Sequence, residues 1–373
     1  MPLAVAALVL AVVASACGGN AASPAAGASS AAAPAGSGSS LRDQMIAKAK
    51  QEGQVVLTGG DAAIIAKELN GFRQKYPFIT VKPLAASPPD IVTRVTTESK
   101  AGNLSVDVLE IDNDSAEQLV RRDMLDKQDY PNVADYKLGT APAHGLYATL
   151  GINPYFQVMY NTDAVKPADA PKTWDAMTDP KWQGKVIMAR SGNSLVARLA
   201  YLWGTNGQLD WARATDFVQK IGSQKPKIAS NFVAAADQVA QGEGSMLWMT
   251  PGNPPALLGV QGEAHIDAIT FSQLWGGYLT LVTPKGIPHP GASWLLVDYL
   301  TSPEGQFEAS DRMLSIQPLN QRAQLGSLGK WAADRGANLA NTKIEPPETS
   351  SKVMTDDVLK QSADIYNKAM GIQ

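Results

Sequence analysis

The chain has 373 residues, a formal net charge of −3 and a hydrophobic fraction of 45%. Mild acidity without any Lys/Arg run excludes a nucleic-acid surface, which needs a basic stripe or patch, and the apolar share is ordinary for a globular protein. Cys17 is the single cysteine, which excludes an intrachain disulfide and any thiol chemistry beyond it.

Residues 3–16 are apolar almost throughout but fall short of the roughly 20 apolar residues that a spanning helix needs. They fit the apolar region of a signal peptide. Ala14-Ser15-Ala16-Cys17 then resembles a lipobox, which implies a lipoprotein signal peptide over residues 1–17 and lipidation of Cys17. Two features depart from that pattern. Position 14 is Ala where Leu or Val is usual, and no Lys or Arg precedes the apolar run, so translation is expected to begin a few residues upstream. Residues 18–40 are almost entirely Ala, Gly, Ser and Pro, a composition that buries too little surface to fold and reads as a flexible linker.

Leu41, Met45, Ile46 and Ala49 recur at helical spacing before Gly53, predicting a short amphipathic helix with a glycine stop. Residues 55–58 read as a strand, and Thr58-Gly59-Gly60-Asp61 turns into a helix whose apolar face is Ile64, Ile65, Leu69 and Phe72. A strand over 79–84, a helix over 90–101 and a strand over 106–111 complete a β-α-β-α-β order. That order predicts a parallel sheet covered by helices, with ligands at the carboxyl ends of its strands. Thr58, Gly60, Asp61, Glu110, Asp112, Asn113 and Asp114 fall on that edge, where free helix N–H groups accept ligand oxygens. The plainer role is structural: Asp61 as an N-cap, and Asp112, Asn113 and Asp114 capping a helix over 115–122.

Tyr155, Phe156, Val158, Met159 and Tyr160 read as a strand, ended by Asn161-Thr162-Asp163 and the prolines Pro167 and Pro171. Thr173 or Asp175 caps a short helical turn, Asp179-Pro180 stops it, and Gly184 leads to a strand over 185–188. Ser191, Asn193 and Ser194 follow in a polar loop before an apolar helix over 195–203, repeating the strand, loop and helix arrangement and offering donors and acceptors to a polar ligand. Helices are predicted over 211–221 and 231–241. A buried strand over 245–250 runs into Pro251-Gly252-Asn253, and its Trp248 serves either as core or as a ring that covers a cation. A strand over 266–271 precedes Trp275-Gly276-Gly277-Tyr278 and a strand over 279–282. Ala292, Leu295, Leu296, Tyr299 and Leu300 recur at i, i+3, i+4, i+7 and i+8, a clear amphipathic helix. Ser302-Pro303-Glu304 starts another. The polar helix over 350–369 could dock on either half.

Tyr160-Asn161, Thr173-Trp174 and Asp179-Pro180-Lys181-Trp182-Gln183-Gly184-Lys185-Val186 resemble the start of the second lobe in bacterial extracellular solute-binding proteins, the receptors of ABC importers. Val239-Ala240-Gln241-Gly242-Glu243 and Gln317-Pro318-Leu319-Asn320 extend the likeness, which covers about residues 55–320. The branch resembled includes ferric-iron, polyamine and thiamine binders. It implies a two-lobed periplasmic-binding-protein-like α/β fold, each lobe a mostly parallel sheet flanked by helices, with a ligand cleft between them. Residues 41–148 plus 277–325 would form lobe I, and 149–276 plus 326–373 lobe II. Ferric-iron members place two adjacent tyrosines where this chain has Pro251, Gly252 and Asn253, and a hard trivalent cation needs anionic oxygens. The expected protein is an extracytoplasmic, lipid-anchored, monomeric receptor with no metal or cofactor, partnered by a permease and an ATPase. Its small polar solute is read at Thr58, Gly60, Asp61, Asp112, Asn113, Tyr155, Ser191, Asn193, Ser194, Trp248, Asn253 and Trp275. Acids and aromatics suit an amine such as a polyamine or thiamine; helix N-termini with Arg190 suit a carboxylate, phosphonate or phosphate. Ferric iron is the alternative ligand, and a sensor without a permease an alternative role. An enzyme is not expected, because His144, His265 and His289 stand isolated from any metal or nucleophile motif.

Overall fold

The computed structural model describes residues 40–136, 145–262, 265–271, 274–313, 317–343 and 353–372. The expected signal peptide, Cys17, nearly all of the linker and His144 lie outside the described residues.

Chain order begins with α1 (Leu41–Glu52), β1 (Gln54–Gly59), α2 (Ala62–Glu68), α3 (Asn70–Lys75), β2 (Thr80–Ala85), α4 (Pro88–Lys100), β3 (Val108–Ile111) and α5 (Asn113–Arg121). β1 lies between β2 and β3, parallel to both. The start of α1 follows local chemistry. Ser40 accepts from the Asp43 backbone N–H while the Asp43 carboxylate accepts from the Ser40 N–H, a reciprocal capping box, and Gly53 ends the helix in the left-handed region at φ 69°.

One predicted helix divides into two. The segment breaks at Leu69, beside the point where residues 299–308 come in: the Gly71 N–H donates to Glu308 Oε1 at 2.7 Å, and a Cβ there would lie 2.2 Å from Tyr299 Oη.

β4 (Ala148–Asn161) follows, then α6 (Trp174–Met177), β5 (Val186–Ala189), α7 (Leu195–Trp203), α8 (Trp211–Ser223), β6 (Lys227–Ala229), α9 (Phe232–Ala240), β7 (Met246–Pro251), α10 (Asn253–Gln261), β8 (Ile266–Ile269) and β9 (Leu274–Val282). α11 (Pro290–Leu300), α12 (Pro303–Glu308), α13 (Ser327–Asp334), β10 (Thr342–Lys343) and α14 (Asp356–Met370) complete the chain. β4 is longer than its aromatic run predicts. Its first part pairs antiparallel with β9 as far as Pro154 opposite Gly276, and its second part pairs with β7 from Tyr155 opposite Pro251. Pro154, which would break a ladder, stands where the strand changes partner. α10 was not expected either: Pro254 and Pro255 occupy its first turn, where the missing N–H groups cost nothing.

The sheet order is β2-β1-β3-β9-β4-β7-β5-β6. β5 runs parallel to β6 and β7, while β9 is antiparallel to β3 and β4, so β4 and β9 join two mostly parallel halves. Each half has its own core. Leu57, Ile65 and Phe72 pack with Leu295 and Leu296 in the first, so α11 returns to cover β1. Tyr160, Val186, Leu199 and Trp248 pack with Tyr366 in the second. The tail helix docks there too: Tyr366 Oη donates to the Ala189 carbonyl at 2.6 Å, and the Ala197 N–H donates to Ser362 Oγ at 3.0 Å.

Trp248 is wholly buried in this second core, beside Trp182 at 6.5 Å between ring centroids. Its truncation to Ala should lower the unfolding free energy by about 3–5 kcal/mol in urea denaturation. A loss below about 1 kcal/mol would contradict its place in the core.

Candidate functional site

Between the two halves lies a cleft of about 930 Å³, within the range of roughly 300–1,000 Å³ typical of small-molecule sites. The first half supplies the turn after β1, the start of α4 and the β3–α5 junction; the second supplies Ser191, Ser194, Arg198, Phe232 and Asn253; β4 and β9 supply Asn153, Tyr155, Trp275 and Tyr278.

Two carboxyls meet at the β1–β3 edge. The Asp61 N–H donates to Glu110 Oε2 at 3.2 Å, and Asn253 Nδ2 donates to Asp61 Oδ2 at 3.3 Å from across the cleft. Asn253 is itself fixed, its Oδ1 accepting from Asn153 Nδ2 at 2.7 Å, while Asn153 Oδ1 takes the Gly252 N–H at 3.0 Å. Gly59 makes room for the acid, since a Cβ there would lie 2.3 Å from Glu110 Oε2. Burial pushes both carboxyls up, Glu110 the further. For Glu110 desolvation leads, the Asp61 charge adds to it and the Asp61 N–H opposes it. Two close acids stripped of water cannot both ionise cheaply.

A second polar bridge also spans the cleft. Arg198 of α7 reaches Asp114 of α5 at 2.7 Å, both side chains only 9% exposed, and its guanidinium lies 3.5 Å over the Trp275 ring. Tyr155 continues this wall, 5.0 Å from Trp275 and 6.3 Å from Phe232 between ring centroids, and burial pushes its phenol up to about 12.

The candidates named from sequence divide. Gly60, Asp61, Asp112, Tyr155, Ser191, Ser194, Asn253 and Trp275 line the cleft. Asp112 also caps α5, its Oδ1 accepting from the Ser115 N–H at 2.9 Å. Asn113 opens α5 and faces β9, where its Oδ1 accepts from Thr280 Oγ1 at 2.6 Å. Thr58 and Trp248 are wholly buried and away from the cleft, because both strands are covered on both faces. Asn193 belongs to a helical turn whose side chain lies outside the described residues. Arg190 is exposed and does not line the cleft.

Sequence reasoning missed Arg198, Asn153 and Phe232. Arg198 carried a signal, as the one charge in the otherwise apolar run of α7. Histidine chemistry is accounted for structurally in part: His289 Nδ1 lies 2.8 Å from Asp107 Oδ2, which also takes the Val56 N–H at 2.7 Å.

Residues 67–338 match the family model described as bacterial extracellular solute-binding protein. The chain belongs to this family. It is a substrate-binding protein of the ABC-transporter class, and its solved neighbours share the two-lobed α/β architecture. One is the periplasmic binding protein AfuA from Actinobacillus pleuropneumoniae with exogenous fructose-6-phosphate bound: 18% identity, TM-score 0.70, covering 86% of this chain and 99% of that one. Iron-bound HitA from Pseudomonas aeruginosa has 19% identity and TM-score 0.63, covering 84% and 99%. The substrate-binding protein of an ABC transporter from Agrobacterium tumefaciens has 16% identity and TM-score 0.71, covering 85% and 94%. Identities this low show the fold alone. Among curated proteins, iron uptake protein A1 of Synechocystis sp. is 36% identical over 93 residues, a stretch spanning 24% of this chain and 24% of that protein.

The buried acid makes stability depend on pH in a defined direction. Glu110 rises from 4.5 to about 8 in this solute-binding protein, so the folded state holds a proton that the unfolded chain gives up. That contribution is fully present below about pH 4.5 and is lost as pH rises through about 8. The melting temperature of the ligand-free protein should therefore fall across this window, and Glu110→Gln should flatten the fall. An unchanged slope in the variant would remove Glu110 as its source.

Proposed function

We propose that the protein is a lipid-anchored receptor that captures a small polar organic solute between residues 41–148 plus 277–325 on one side and 149–276 plus 326–373 on the other, and delivers it to a membrane permease driven by an ATPase. The cleft carries this reading, with polar side chains from both halves converging over an aromatic wall. A ligand that touches both halves only when they are closed shifts the hinge equilibrium by its differential affinity, and no chemistry is required. Residues 1–17 act as the lipoprotein signal, Cys17 takes the lipid, and residues 18–40 tether the receptor outside the membrane as a monomer.

Ferric iron is bound by one solved neighbour described above and suggested by the name of the Synechocystis relative. The cleft gives less support to that cargo here. Pro251, Gly252 and Asn253 stand where the resembled iron binders have adjacent tyrosines, and the Tyr155 phenol is pushed away from ionisation. Among the described residues no His/Cys/Asp/Glu group is arranged to hold a metal.

The anchoring and the solute are tested separately. Cys17→Ala should abolish incorporation of a labelled fatty acid and release the protein from the membrane fraction; retained label would refute anchoring at Cys17. For the solute, a thermal-shift series with amines, thiamine, amino acids, phosphonates, sugars and ferric citrate should show a rise of several degrees with one organic class. Ligand at about a hundred times its Kd adds roughly 2.7 kcal/mol. A rise with ferric citrate alone would replace the organic solute by iron.

A further inference from the structure

Asp61 and Glu110 are acids in a ligand cleft with no base beside them. Among the described residues neither forms an ion pair with Lys, Arg or His, and the cleft's Arg198 is already committed to Asp114. Glu110 is 6% exposed and lines the cleft, and among the described residues its carboxyl accepts one hydrogen bond, from the Asp61 N–H. Glycine at position 59 gives the carboxyl its space. The remaining carboxylate lone pairs can accept from a donor placed in the cleft.

We propose that the solute carries a cationic nitrogen, an ammonium or amidinium group, and that the Asp61–Glu110 pair receives it while Tyr155 and Phe232 flank its organic body. This inference rests on the receptor reading above and selects between the two solute classes left open by the sequence.

Three observations support it. Other groups facing the pair reinforce the demand for positive charge: Asp112 at the start of α5 raises Glu110 further, Asp114 is paired with Arg198, the start of α4 brings uncharged Ser87, Pro88 and Pro89, and the strand opposite Glu110 pairs it with Leu281. The aromatic wall accommodates a cation, since the Arg198 guanidinium lies on Trp275. An N–H donor also suits carboxyl oxygens whose other contacts come from fixed N–H donors, Asn253 Nδ2 and the Asp61 amide.

Burial favours a retained proton on the pair, so capture of a cation by this route is an exchange. The ammonium N–H groups displace the carboxyl proton, which leaves to solvent, and affinity rises with pH until the pair is ionised. A solute that instead used a neutral carboxyl as a donor would bind more weakly as pH rises.

Isothermal titration of the full chain, freed of carried ligand by unfolding and refolding, decides the matter. Probes are putrescine, spermidine and thiamine as cations, fructose-6-phosphate, methylphosphonate and glutamate as anions, glucose as a neutral compound, and ferric citrate. The expected result is binding of a cation that tightens about tenfold or more between about pH 6 and about pH 8.5, and weakens about tenfold or more in Asp61→Asn and in Glu110→Gln, with circular dichroism unchanged. Binding of an anion or of glucose without any cation would overturn the inference and leave the receptor reading intact. A cation whose affinity ignores both substitutions, or falls with pH, would overturn the assignment to this pair. Silence from every class would overturn the receptor reading and the inference together.

Discussion

Everything in the structure hangs on two strands that belong to both halves. β4 leaves β9 and joins β7 within one peptide step, and β9 binds β3 on one side and β4 on the other. Because those ladders are continuous, the halves can rotate only by twisting or bending the shared strands, a hinge rather than a slide. The same strands carry Asn153, Tyr155, Trp275 and Tyr278 into the cleft. Hinge and cleft wall are therefore one object, so a change of angle between the halves is felt at once by the residues that line the cleft.

The cleft is bridged by side chains from both halves. Arg198 to Asp114 and Asn253 to Asp61 both cross it, one through a buried ion pair and one through a weaker amide contact. A buried pair offsets much of its Coulomb gain by desolvation, so the contact between the halves here is worth less than its short distance suggests. A solute that engages Asp61 competes with Asn253, whereas one that sits on the aromatic wall leaves Arg198 in place.

Local chemistry was legible in the sequence and distant chemistry was not. Helix starts at Ser40, Asp112, Asn231 and Thr355 rest on side chains that accept N–H groups three residues ahead; of these caps Asp112 was expected from sequence, whereas the tail helix was expected from 350 and begins only after Thr355. The edge of the first half that lines the cleft followed from strand and helix order. Arg198 could not be placed because its partner is 84 residues away, on a helix of the other half. Trp248 misled for a related reason: β7 is buried on both faces, so no alternation separates a cleft-facing residue from a core one. Pro154 hid half of β4, since a proline argues against a central strand unless the strand changes partners there.

Gly59 and Glu110 share one volume, with the backbone of β1 resting against the acid of β3. A Cβ at position 59 would also lie 2.7 Å from the Glu110 carbonyl oxygen and 2.8 Å from the Glu110 Cβ, so removing the acid alone does not open the space. Glycine is required there by the close approach of two backbones. Any side chain at position 59 must push β1 and β3 apart, and the floor of the cleft moves with them.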